Sequence, residues 1–227
     1  MRQRTVERDV WPVLEQLGFE LFAPHAAWRH WDGGVDALHI LWENDVSPLR
    51  SRQSRHLRSR AGSAEPTPAA FRLVAGTHFH AVPLERAPRL RAGRLAPSVA
   101  QCHVTRAYAP GPSRADALDR ELWLAAVDHE ALLGDLRGKA RRAARSLDVL
   151  HRPRAALEEL ARRTRWQPRP GSTGWLEVTG YLAAAAGAYD VARPRLQRLL
   201  RELEPAEEAR AQRVRSALAM LPTASAS

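Results

Sequence analysis

The sequence predicts an α+β protein in which a small antiparallel β-sheet is packed by helices and followed by a short helical C-terminal appendage. Before Asp128, runs rich in aromatic and aliphatic residues alternate with turn-forming clusters, a pattern typical of strands. After Asp128 the apolar spacing lengthens to about 3.6 residues, which is typical of amphipathic helices. The chain has 227 residues, 44% of them hydrophobic, and is long enough to bury a substantial core.

The first predicted element is a helix over residues 5–17. Gly18 supplies its C-terminal stop. Pro12 would kink the middle of that helix, so a start at Trp11 with Pro12 in the first turn is the alternative. The apolar residues that recur at helical spacing are Val6, Val10, Val13, Leu14 and Leu17.

Four strands are predicted, over residues 19–31, 35–43, 71–79 and 101–108. The first two are separated by Asp32-Gly33-Gly34, a turn-forming cluster that predicts a hairpin. The other two complete the sheet, and we expect the first helix to pack across one face.

Two helices follow Asp128. The first has one apolar face, and Arg137, Arg141 and Arg145 stack on another at i, i+4 and i+8. The second begins at Pro153, a favoured first-turn residue. The residues of the apolar face are Leu132, Leu133, Leu136, Ala140, Ala143 and Leu147.

The stretch RWQPRPGSTG, residues 165–174, breaks this periodicity and predicts a boundary. We therefore divide the chain into an α+β domain over 1–166 with an arginine-rich loop insert at 46–70, a linker at 167–174, a helical appendage at 175–221 and a disordered tail at 222–227. Helices are predicted near 175–186, 191–203 and 205–221, with Asp190 as an N-cap. The segment YLAAAAGAYDVARPRLQRLL resembles one tetratricopeptide-type hairpin, and no second copy follows, so we expect a docking appendage.

The order of the N-terminal motifs resembles a known family. A helix ending LEQLGF is followed by AAWRHW, VDALHILWEND, FRLVAGTHF, QCHVTRAY and ELWLAAVD. This order is similar to that of the bacterial domain-of-unknown-function family 4304 and covers residues 4–166. The resemblance implies a sheet covered by helices, and it implies no catalytic residues.

Charge indicates the kind of partner. The formal net charge is +10, which attracts polyanions before any specific contact forms. We predict two groups of arginines as binding residues for an acidic partner, while a solvated charged face is the alternative for each. The loop insert contributes Arg50, Arg52, Arg55, Arg58 and Arg60; the helix after Asp128 contributes Arg137, Arg141, Arg142 and Arg145, with Lys139 nearby.

A metal site is the chemical alternative. His78 and His80 are two apart on a predicted strand and so share a face, while Cys102 and His103 begin the strand expected to pair nearby. Cys102 and His103 face opposite ways, so at most one of them joins the other two. Ordinary half-buried polar residues are the competing interpretation for all three histidines.

The sequence lacks the motifs that mark several classes of function. Cys102 is the only cysteine, which excludes an intramolecular disulfide and any cysteine-rich zinc module. No nucleophile elbow, P-loop or dinucleotide-binding motif occurs, and we expect no cofactor. No apolar run is long enough to cross a bilayer and no secretory h-region opens the chain, so we expect a cytoplasmic protein without a membrane partner.

These observations predict a non-enzymatic binding or accessory protein of bacterial type. Its basic surface would meet an acidic protein or a nucleic acid, and an acidic protein partner would be a toxin if the chain is an immunity-type protein. The alternative is a metal-dependent hydrolase that uses His78, His80 and His103. The sequence leaves the oligomeric state open.

Overall fold

The computed structural model describes residues 8–23, 25–42, 71–83, 90–91, 94–111, 127–162 and 165–222. The predicted arginine-rich insert at 46–70, the start of the predicted first helix at 5–7 and the end of the predicted tail at 223–227 lie outside these ranges. All structural statements below concern the described residues.

The strands form one five-stranded antiparallel sheet and one small two-stranded sheet. The order in the larger sheet is β1-β2-β3-β4-β7, and β5 pairs with β6. The strands are β1 (Glu20–Ala23), β2 (Ala26–Trp31), β3 (Gly34–Trp42), β4 (Phe71–Phe79), β5 (Leu90–Arg91), β6 (Arg94–Leu95) and β7 (Val104–Tyr108).

The helices lie at the two ends of the chain. They are α1 (Trp11–Gln16), α2 (His129–Asp148), α3 (Pro153–Arg162), α4 (Thr173–Ala185), α5 (Tyr189–Glu202) and α6 (Glu208–Met220). α1 begins at Trp11 and carries Pro12 in its first turn, as in the alternative prediction, while Arg8 and Asp9 are also helical and a turn at Val10 separates them from α1. The α+β class with C-terminal helices is confirmed.

The sheet differs from the predicted one at two places. The predicted strand over 19–31 is two strands, because the chain reverses after Ala23 and pairs Glu20 with Trp28. The fourth predicted strand begins at Val104 instead of position 101, because a 3-10 turn occupies Val99–Gln101. β4, over Phe71–Phe79, was predicted with its bounds.

The turn between β2 and β3 requires glycine. A Cβ at Gly34 would lie 2.2 Å from the carbonyl oxygen of His78 on β4, and one at Gly33 would lie 2.2 Å from the Trp31 ring. No side chain fits at those distances, so the predicted turn position is confirmed and its glycines are explained by close approach.

The helix-facing side of the sheet and all six helices share one apolar core. Leu38, Leu73 and Val104 from the sheet lie in the same buried cluster as Leu136 of α2. That cluster also includes residues of the predicted appendage, such as Leu196 of α5. The apolar sides of the C-terminal helices are therefore buried within this chain.

The predicted linker contacts the sheet. Gln167 and Thr105 of β7 exchange two backbone hydrogen bonds of 2.8 Å, and Trp166 is buried in the core. The division of the chain at this point stays a prediction.

Two further details of the appendage follow from the sequence. Gly180 on α4 allows α5 to approach closely, since a Cβ there would lie 2.7 Å from Cδ2 of Leu196. The predicted N-cap at Asp190 is wrong: α5 begins at Tyr189, two residues earlier than predicted, Ala188 occupies the cap position, and Asp190 lies in the first turn. The reason is that the Ala188 N–H bonds back to the Ala183 carbonyl oxygen at 2.9 Å, which closes the turn early.

The other side of the sheet has a smaller core. Trp28, Val35 and Ala37 are buried there against Ala96. The Trp28 indole N–H donates to the Pro97 carbonyl oxygen at 2.8 Å, which holds this segment on the sheet. None of the described helices is long and apolar enough to span a membrane.

Candidate functional site

The basic segment, which we define as residues 137–154, carries the most concentrated charge in the described part of α2 and α3. It contains seven basic residues and one acidic residue, Asp148, so its formal charge is +6. Its basic residues are Arg137, Lys139, Arg141, Arg142, Arg145, Arg152 and Arg154.

Arg137 and Lys139 of this segment are bonded to acidic residues of α2. Arg137 forms a 2.5 Å salt bridge with Glu130, which lies two turns earlier on the same face of α2. Lys139 is buried, where it bonds Asp135 at 2.5 Å and the Gly111 carbonyl oxygen at 2.6 Å. Lys139 therefore fastens the turn after β7 to α2 and does not belong to an outer stripe.

The remaining arginines face solvent. Arg141, Arg142, Arg145, Arg152 and Arg154 are all exposed. Within the described ranges, Arg141 and Arg145 form no salt bridge. Like charges at i and i+4 weaken a helix by about 0.2–0.5 kcal/mol per pair, a cost that a bound anion would remove.

The orientation of this surface is fixed by a buried carboxylate that the sequence analysis missed. Asp36 on β3 is fully buried. Its Oδ2 accepts hydrogen bonds from Arg29 at 2.7 Å and from Nε2 of His151 at 2.7 Å, and its Oδ1 accepts one from the Thr77 hydroxyl at 2.8 Å. Arg29 also pairs with Asp148 at 2.7 Å.

These bonds hold the end of α2 on the sheet. Asp148 is the last residue of α2 and His151 closes the 3-10 turn that follows, so both sides of that turn are tied to β2 and β3. The His151 ring also stacks on Trp31, with centroids 4.5 Å apart. Arg145 and Arg152 flank the tied turn in sequence and are both exposed.

A sequence signal for Asp36 existed. In β3, alternate residues share a face, and Asp36 precedes Leu38 and Ile40 on the face that enters the core. An acid at an inward-facing strand position requires a cation or donors, because an unpaired buried charge is costly. Arg29 is the directly opposed residue on β2 and supplies that cation.

The three predicted histidine ligands come together on the other side of the sheet. The ring centroids of His78 and His103 are 4.6 Å apart, and those of His78 and His80 are 5.8 Å apart. Burial, together with the neighbouring imidazole, lowers the pKa of His78 to about 4 and of His103 to about 3.

The arrangement does not suit metal coordination. No group of three or more His, Cys, Asp and Glu side chains among the described residues is placed to hold a metal ion. The physical reason lies at His103, whose Nδ1 accepts the backbone N–H of Phe79 at 3.0 Å. A neutral imidazole that accepts at Nδ1 carries its proton on Nε2, so it has no free lone pair for a metal.

Cys102 is placed for packing. Burial raises the pKa of its thiol well above the ordinary value, and the Asp36 carboxylate raises it further. The sulfur lies against Gly76, where a Cβ would approach it to 2.8 Å. A thiol held in its neutral form is a poor nucleophile.

The arginines of the loop insert, Arg50, Arg52, Arg55, Arg58 and Arg60, lie outside the described residues. No family model, no curated protein and no solved structure matches this chain. The resemblance to the domain-of-unknown-function family 4304 stays a prediction.

Proposed function

We propose that this chain is a non-enzymatic binding or accessory protein whose basic segment engages an acidic partner. The observation that carries the proposal is the excess of exposed arginines in residues 137–154, where the only acid, Asp148, is already bonded to Arg29. A partner with closely spaced negative charges, either an acidic protein or a nucleic acid, would neutralise Arg141 and Arg145, which form no salt bridge among the described residues.

The arrangement favours recognition of charge over recognition of sequence or shape. Arginine guanidinium groups bind phosphate and carboxylate oxygens in a bidentate manner. The exposed arginines of α2 project from a rigid helix whose C-terminal end is tied to the sheet, so their spacing is set before a partner arrives. The phosphates of a nucleic-acid backbone and a row of carboxylates on a protein could both bind arginines at this spacing.

The test measures binding of a random-sequence DNA duplex and of polyglutamate over a range of salt concentrations. If phosphates are contacted, the logarithm of the affinity for the duplex falls linearly with the logarithm of salt, with a slope of about 0.9 per contact. The variant Arg141→Gln/Arg145→Gln should reduce that slope by about 1.8, which corresponds to the loss of two contacts. Preference for polyglutamate over the duplex would identify the partner class as an acidic protein.

The matched control is Arg169→Gln/Arg201→Gln, which removes two exposed arginines outside the basic segment. Its binding should follow the parent protein. If neither polyanion binds at low salt, or if both double variants lose binding equally, the basic segment is a solvated face and the proposal fails.

We also propose membership of the domain-of-unknown-function family 4304 for residues 4–166. The support is the order of a helix ending LEQLGF and strands containing AAWRHW, VDALHILW, FRLVAGTHF and VTRAY. An experimental structure of a family member with a different strand order would remove this assignment.

A further inference from the structure

One buried cation lacks a counter-charge. Arg106 on β7 is 8% exposed, and its Nη1 atom is buried without a hydrogen-bond partner among the described residues. It shares the helix-facing side of the strand with Val104 and Tyr108. Its neighbour across the sheet is Ala75, which has a small, uncharged side chain.

The other buried charges in the described part of the chain are paired. Asp36 is bonded to Arg29 and His151, and Lys139 is bonded to Asp135. A buried charge that has lost its water and gained no partner costs a large share of a domain's net stability. Arg106 is therefore a buried cation to which an anion would supply the missing hydrogen-bond partner.

The surroundings of Arg106 select the kind of anion. Its guanidinium carbon lies 4.9 Å from the ring centroid of Tyr108 and 5.8 Å from that of Trp166. Rings that stack on a guanidinium cover its faces and leave the in-plane N–H donors open, and those donors match the two oxygens of a carboxylate. The Tyr108 hydroxyl is also buried without a partner and supplies a further donor.

We propose that Arg106 and Tyr108 form a binding site for the carboxylate of a small organic acid, with Trp166 against its apolar part. One cation matches a monoanion, whereas a phosphate monoester with a charge of about −1.5 to −2 would leave negative charge unpaired in the core. The small exposed fraction of Arg106 limits the ligand to a small molecule. This site is separate from the basic segment and does not depend on the proposed function.

The experiment measures the unfolding temperature of the full chain with sodium acetate, sodium benzoate, sodium phosphate and sodium chloride at equal ionic strength. A ligand that binds only the native state raises that temperature as its concentration increases. We expect benzoate and acetate to raise it above the chloride value and phosphate to match chloride. The proposal is overturned if neither carboxylate raises the unfolding temperature of the parent protein, or if phosphate raises it as much as the carboxylates do.

Two variants locate the response. Arg106→Met should abolish the rise in unfolding temperature with carboxylate. Without ligand, this variant should unfold at the same denaturant concentration as the parent or at a higher one, because an unpaired buried charge has been removed. The exposed control Arg169→Met should keep the response. An Arg106→Met variant that is less stable than the parent, or that still responds, assigns Arg106 a structural role and defeats the proposal.

Tyr108→Phe provides a second readout that does not depend on the folding of the first variant. It removes only a hydroxyl that lacks a partner, so ligand-free stability should be unchanged or higher, while the response to benzoate should weaken. An unchanged response would remove Tyr108 from the site, and loss of ligand-free stability would show that its hydroxyl has an internal partner; each outcome contradicts the site as proposed.

Discussion

Asp36 shows how one side chain organises the functional surface. Its carboxylate joins β2, β4 and the turn after α2 through Arg29, Thr77 and His151. Because the acid is fully buried, its loss leaves its donors without an acceptor in a region of restricted water. The free energy of unfolding should be sensitive to this single carboxylate.

We expect Asp36→Asn to reduce the free energy of unfolding by about 3–5 kcal/mol, the range for breaking a buried ion pair by removing one partner. Urea unfolding at neutral pH measures the change. Glu158→Gln is the control, since it removes an exposed carboxylate paired with Arg162 at 3.4 Å and should change stability by less than about 1 kcal/mol. Equal effects of the two substitutions would show that the Asp36 network contributes little.

Cys102 gives a second prediction at this scale. Because burial raises the pKa of its thiol, the thiolate that reacts with disulfide reagents is scarce in the folded protein. We expect labelling of this half-buried thiol by a chromogenic disulfide to be slow in the folded protein and to become fast in denaturant. Rapid labelling of the native protein would show that the thiol is accessible.

At the scale of an element, α2 combines three roles along its twenty residues. One face enters the core through Leu133 and Leu136, another holds Lys139 against the turn after β7, and the outer face carries Arg141 and Arg145. Its N-terminus is capped by Asp128, whose side chain accepts the Ala131 N–H at 2.7 Å. The N-cap and the bonds at the C-terminal end hold α2, and with it the backbone of Arg141 and Arg145, in a fixed position.

Replacement of that cap tests the stability of the helix directly. Asp128→Ala should lower the free energy of unfolding by about 1 kcal/mol, the usual effect of losing an N-cap side chain. Chemical denaturation measures it, and Ser172→Ala, which removes the corresponding cap of α4, should behave similarly. If neither substitution changes stability, the capping bonds are replaced by water without cost.

At the scale of the whole molecule, one buried and two half-buried histidines link stability to pH. Burial lowers the pKa of His39 and His78 to about 4 and of His103 to about 3. An unfolded histidine titrates near about 6.5, so the unfolded chain binds more protons below that value. Stability from these groups is complete above pH of about 6.5 and is lost as pH falls toward 4.

We expect the free energy of unfolding to decrease between pH 6.5 and 5 by up to about 1.4 kcal/mol per pH unit for each of these histidines. His103→Asn keeps an acceptor for the Phe79 N–H and should flatten the dependence. Arg169→Gln, at an exposed position and with no histidine removed, is the control and should preserve it. A stability that does not change over this range would mean that the three imidazoles are solvated.

Particular residues explain what the sequence predicted and what it did not. β4 was predicted with its bounds because Phe71–Phe79 is an apolar run with sharp ends. The reversal between β1 and β2 was missed because no glycine pair marks it, and the first three residues of the fourth strand were lost to a local turn. The pairing of Asp36 and the isolation of Arg106 depend on strand register, which a single sequence does not specify.

The pairing of Gln167 with Thr105 has a consequence for self-association. β7 is the edge of the sheet, and an open edge offers N–H and C=O groups to which a strand of another chain can add. Here both groups of Thr105 are already used by Gln167. The segment that follows α3 therefore blocks the addition of a strand from another chain at this position. We expect truncation before residue 165 to make the protein prone to aggregation.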